Sequence, residues 1–363
     1  MSGACAGGQH LPVRAWTDQV ELWLAGAPAS APVVVLATGD DSGAGGRFSV
    51  LGQVERVVRG EMPRELAGRE VGCAAGELRS ADDDPPFRGG WIGVLEYEHG
   101  ASLDGALRGR WNPDGQARAW WVRVDRALVV DHAAGVAHEV SDGRVVGAGA
   151  WRVDEPARAG GGGPGFSCGA LTSDTGRARY EQSVARALAH IGAGDVYQVN
   201  LAHQLHGSFA GSARALFGAL LRASRAWYGA YAELDGCAVC SASPELFLQV
   251  EPAAGAAGAL IRTRPMKGTR AGAGASQEHE LRASEKERAE LTMIVDLMRN
   301  DLGRVCRAGS VRVARAREVE RHGAGTILQA TSTVEGRACA GTTWGALLGA
   351  VLPPGSVTGA PKV

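Results

Sequence analysis

Ser243-Pro-Glu-Leu-Phe-Leu-Gln-Val-Glu-Pro-Ala-Ala-Gly-Ala-Ala-Gly-Ala-Leu-Ile-Arg-Thr-Arg-Pro-Met-Lys-Gly-Thr269 is the stretch on which the reading of this chain turns. Residues 243–250 have strand composition, 251–259 are turn-like and 260–269 form a return strand with an exit turn. A hairpin centred near Ala256 places Glu245 opposite Lys267, with Cβ atoms roughly 4.5–5.5 Å apart. A bulge shifts that pairing by a residue. A lysine amine attacks only when neutral, and a neighbouring carboxylic acid can protonate a leaving hydroxyl. The alternative is a surface Glu–Lys pair of small energetic value.

Downstream, residues 284–302 read as a helix ended by Gly303. Glu290, Met293, Ile294, Leu297 and Met298 recur at helical spacing, so Glu290 falls on or beside the buried stripe. Glu285 and Glu287 fall among exposed positions. An unpaired carboxylate in apolar surroundings calls for a cation, and magnesium takes oxygen ligands. The alternative is a boundary Glu that reaches solvent.

Upstream, a helix carries Tyr180, Val184, Ala187, Leu188 and Ile191 on one stripe, with Gly192 or Gly194 at its end. The period then changes to two. Tyr197, Val199 and Leu201 form a face expected to meet the core, while Gln198 and Asn200 face water or a ligand. Residues 32–39, 47–52, 91–98 and 119–132 are short β-like runs bounded by Gly, Asp or Pro, which predicts an antiparallel, hairpin-rich region over 1–155. Residues 156–170 have the composition of a flexible linker, and 171–363 form the second unit.

The 363 residues carry 38 basic and 39 acidic side chains. That balance offers no footprint for nucleic acid or an anionic membrane. No apolar run approaches the roughly 20 residues of a membrane span, and the N-terminus lacks a signal-peptide pattern, so a cytoplasmic location is expected. Seven scattered cysteines argue against a disulfide framework, and Cys237 and Cys240 are expected to be buried free thiols.

Five segments in order resemble the chorismate-utilising family of anthranilate, aminodeoxychorismate, isochorismate and salicylate synthases. They are 194–201 (GDVYQVNL), 243–247 (SPELF), 264–269 (RPMKGT), 288–304 (RAELTMIVDLMRNDLGR) and 354–362 (PGSVTGAPK). Pro-Met-Lys-Gly-Thr resembles the aminodeoxychorismate branch, where anthranilate and isochorismate synthases place Ala at the position of Lys267. The resemblance implies an α+β fold of two large, mainly antiparallel sheets packed face to face with helices outside. It implies Lys267 and Glu245 as catalytic residues, and Gln198, Gly268, Thr269, Thr358 and Gly359 at the substrate. It also implies Mg2+ on Glu290 and a glutamine amidotransferase supplying ammonia on a route to 4-aminobenzoate and folate. Family members continue beyond the Gly-Ala-Pro-Lys motif, so a catalytic domain incomplete at its C-terminus is expected. Anthranilate synthase, and a shortened relative that only binds ligand or partner, are the competing readings.

Overall fold

A computed structural model describes residues 13–28, 30–38, 46–72, 85–103, 119–150, 165–253, 258–272, 274–323 and 326–362. The α+β class is as expected: large antiparallel sheets carry helices on their faces. No described helix is long and apolar enough to cross a membrane.

One sheet has seven strands. The edge hairpin Cys237–Ser243 and Tyr228–Leu234 lies beside Val33–Ala37, followed by Phe48–Gln53, Arg126–Asp131, Val136–Ser141 and Arg144–Ala150. The order is legible in the β-branched runs, which pair antiparallel with unbroken register from Val33–Ala37 to Arg126–Asp131. Strands from both sides of the expected 156–170 joint share this sheet; residues 156–164 lie outside the described ones. One face packs on helices Val13–Gly26 and Ala213–Ser224 through Val20, Leu24, Phe217, Leu221 and Tyr231. The other meets a three-stranded sheet through Val34, Val122, Val124 and Ala232.

The second large sheet is built on Ile327–Arg337. Residues 260–271 run along one side of it, and Arg312–His322 along the other. Alternation divides this central strand cleanly. Leu328, Ala330 and Val334 are wholly buried in one cluster with Leu291, Ile294, Val295, Met298 and Leu302 of the helix Glu285–Gly303. Gln329, Thr331, Thr333 and Glu335 face the other way. The helix begins at an N-cap, Ser284, whose hydroxyl accepts from the Glu287 N–H.

Residues 165–211 differ from both sheets. The helix Arg177–Ala193 ends, as expected, at left-handed Gly194, yet it has no buried residue. Leu188 is 62% exposed and Tyr197 is 77% exposed. The apolar face of Tyr197 and Val199 therefore does not meet a core, and Gln198 is the more buried neighbour. Alternation named the two faces; nothing among the described residues covers the apolar one. Cys237 is exposed and Cys240 half-buried, both free, which corrects the expectation of burial.

Candidate active site

The hairpin expected over 243–269 exists, with a shifted register. Val250 pairs with Ile261 and Leu246 with Arg264, with an irregularity between them. Glu245 precedes its strand and does not lie directly across from Lys267, as a hairpin centred at Ala256 requires; residues 254–257 lie outside the described ones. The two side chains nevertheless interact. Lys267 pairs with Ala330, which sets it on the face covered by the Glu285–Gly303 helix. Glu245 sits in the turn between two strands, fixed by Ser243. That hydroxyl accepts from the Glu245 N–H and donates to its carbonyl. Burial pushes the Glu245 carboxyl above its ordinary value, against a hydrogen bond from Ser356 and the charge of Lys267. A carboxyl whose protonated form is favoured by burial suits proton transfer to a leaving group.

Gly268 follows Lys267 at a register shift, with φ +76°. A Cβ there would lie 2.7 Å from Leu281 Cδ1 and 3.1 Å from Glu287 Oε2. The bulge turns the next residues, so that Arg270 reaches Glu287 at 3.5 Å. Glu287, expected on the exposed face, is thereby largely buried. Thr269 is exposed.

The other expected substrate residues gather on one segment. Gln198 and Val199 pair with Ala360 and Gly359, and the Asn200 N–H donates to the Thr358 carbonyl. Gly359 lies so close under the Gln198 carbonyl that no Cβ fits. Gln198 Oε1 is buried without a hydrogen-bond partner among the described residues. A buried unmet acceptor costs about 1–3 kcal/mol, a cost that a ligand donor removes. Thr358 is buried, and its hydroxyl donates to the Gly355 carbonyl. Its side chain shapes the turn.

Residues 355–360 thus link two groups, with Ser356 on Glu245 and Thr358–Gly359 on Gln198. Gly355 packs under Leu297 and Met298 of the helix. Beyond the segment, Lys362 donates to Asp301 at 2.8 Å and to the Val351 carbonyl at 2.9 Å, in a buried clasp. Composition gave Ser356 and Lys362 no role. Their only signal was membership of the 354–362 motif.

Glu290 lies on the same helix. Its carboxylate is 36% exposed and 3.8 Å from Lys286. Among the described residues no group of three His, Cys, Asp or Glu side chains is placed to hold a metal. One shared carboxylate does not by itself make a magnesium site.

Comparison with known proteins places this geometry. A family model described as chorismate binding enzyme matches residues 43–363. Aminodeoxychorismate synthase component 1 of Salmonella typhimurium is 36% identical over 293 residues, 78% of this chain and 61% of that protein. Anthranilate synthase component 1 of Streptomyces coelicolor is 33% identical over 310 residues, 77% of this chain and 58% of that protein. The chain therefore spans about three fifths of the length of these curated relatives. The crystal structure of anthranilate synthase component I from Streptococcus pneumoniae shares the fold, with a TM-score of 0.67 at 23% identity, covering 87% of this chain and 75% of that one.

Proposed function

The chain belongs to the family of chorismate binding enzymes, and from that premise we propose that it aminates chorismate at C4 with Lys267 as nucleophile. The observation that carries this reading is the meeting of Lys267, Glu245 and Ser356 on the helix-covered face of the sheet. Relatives named both aminodeoxychorismate synthase and anthranilate synthase match the chain. Lys267 favours the first, because its amine can serve there as a nucleophile toward the ring.

In the proposed sequence, neutral Lys267 attacks C2 of the ring. The ring double bonds shift, the C4–O bond breaks, and Glu245 gives its proton to the departing hydroxyl, which leaves as water. Ammonia then bonds to C4 and the C2–N bond breaks, which returns the lysine amine and gives 4-amino-4-deoxychorismate. The surplus proton of ammonia restores Glu245. Burial favours the protonated form of Glu245, which suits its role as proton donor. Gln198, with its unmet acceptor, and the backbone at Gly268 and Gly359 line the approach.

The component 1 names of the relatives support a glutamine amidotransferase partner as the ammonia source, and a product that feeds 4-aminobenzoate and folate. Magnesium on Glu290 remains part of the proposal only with a further ligand, such as a substrate carboxylate. None of the steps above is routed through it.

The test is product analysis of the protein with chorismate, ammonium and magnesium. Aminodeoxychorismate that depends on Lys267 supports the reading. Anthranilate as the product, or turnover that survives Lys267→Ala unchanged, overturns it.

A further inference from the structure

On the sheet face opposite Lys267, a cavity of about 280 Å³ opens between the two large sheets. At ~30 Å³ per water it holds about nine waters, or one single-ring molecule. Its walls include Trp227, Pro244, Ile327 and Gln329.

Two polar groups at this cavity have bonding capacity that no described residue meets. His322 is 4% exposed, and neither ring nitrogen has a hydrogen-bond partner among the described residues. Its ring packs against Trp227 with centroids 4.0 Å apart. Nε2 lies 3.6 Å from Glu320, whose carboxylate is ion-paired with Arg264. Burial alone would raise the Glu320 carboxyl, but His322 and Arg264 hold it below its ordinary value. With Nε2 turned toward Glu320, Nδ1 is the ring nitrogen with no polar group set against it among the described residues. A buried ring nitrogen without a hydrogen-bond partner is costly unless a ligand supplies one.

The second group is Arg225, which caps the helix Ala213–Ser224. It lines the cavity in a left-handed conformation, φ 46° and ψ 44°, that favours glycine. Its guanidinium has no ion-pair partner among the described residues. A half-buried guanidinium that lines a cavity without an ion-pair partner can take an anionic ligand group.

We infer that this cavity is a second small-molecule site, for a compact aromatic monocarboxylate that also carries a hydroxyl or amino hydrogen-bond donor. The carboxylate answers Arg225, the donor answers His322 Nδ1, and the ring lies among Trp227, Pro244 and Ile327. The site stands independently of the chorismate reading, because it uses none of the residues assigned there.

The probe is 4-hydroxybenzoate, titrated calorimetrically against the 363-residue protein, with benzoate and phenol as half-ligands. Saturable binding near one per chain is expected, at least tenfold tighter than either half-ligand. Arg225→Gly suits the local backbone, so the fold should survive it, and it should weaken binding at least tenfold. His322→Phe keeps the ring packing and should erase the advantage of 4-hydroxybenzoate over benzoate. Lys267→Ala should leave the affinity unchanged. No saturable binding at millimolar probe overturns the proposal. So does binding indifferent to Arg225→Gly, or binding abolished by Lys267→Ala, which would place the probe at the chorismate site.

Discussion

Two helices of this protein carry similar apolar stripes and meet opposite fates. Glu285–Gly303 buries Leu291, Ile294, Val295, Met298 and Leu302 against a sheet. Arg177–Ala193 presents Tyr180, Leu188 and Ile191 and buries nothing. Their N-termini differ as well: Ser284 caps the first, whereas Gly176 gives the second no side-chain bond. Periodicity states which face of a helix is apolar. Whether another element covers that face is a property of the whole fold. Lys267 stands on the sheet beneath the covered helix, and Glu245 in the turn that leads into that sheet.

The contrast can be broken by urea unfolding of single variants. Ile294→Ala removes a wholly buried side chain and should cost about 2–5 kcal/mol. A cost under about 0.5 kcal/mol, the ordinary surface range, would mean that the covered helix is not covered in solution. Gly268→Ala comes next. The positive φ and the contacts with Leu281 and Glu287 predict a loss of more than about 1 kcal/mol, together with displacement of Lys267. Ser284→Ala should cost about 1 kcal/mol through the lost cap. In the open helix the sign reverses. Gly192 has no neighbouring atom within 4 Å, so Gly192→Ala should stabilise by roughly 0.5–1 kcal/mol. Leu188→Ala should change stability by less than about 0.5 kcal/mol. A multi-kcal loss there would show that this face is covered in solution.

A gentler probe reads the chemistry. The raised Glu245 carboxyl predicts that kcat/KM falls as pH rises through its titration, because the proton donor is then lost. The Ser356 hydroxyl acts to lower that value. Ser356→Ala should therefore move the basic limb of the profile to higher pH, and a move to lower pH would contradict the contact.

Much of this was legible in the residues. Ser284, the stripe through Met298 and Gly303 marked the covered helix. The β-branched runs marked the strands, and the ordered motifs marked the family. Three things were not legible, each for a physical reason. The hairpin register depended on a turn and an irregularity that composition does not specify, so Glu245 reaches Lys267 from a turn and not from a facing strand position. The bulge at Gly268 swings Arg270 onto Glu287, and periodicity within the helix could not show that this acid gains a partner. The alternation at Tyr197–Leu201 separated two faces, but Tyr197 and Val199 meet no core among the described residues. The partner of Gln198 is Ala360, a residue 162 positions away, which local alternation cannot show.

The central claim is that the Lys267 amine bonds to the substrate ring. Incubating the protein with chorismate without ammonia, quenching, and sequencing its peptides by mass spectrometry tests this directly. The account predicts a chorismate-derived adduct, formed with loss of water, on the peptide containing Lys267 and absent from Lys267→Ala. An unmodified Lys267 peptide in protein shown to turn over chorismate would contradict it.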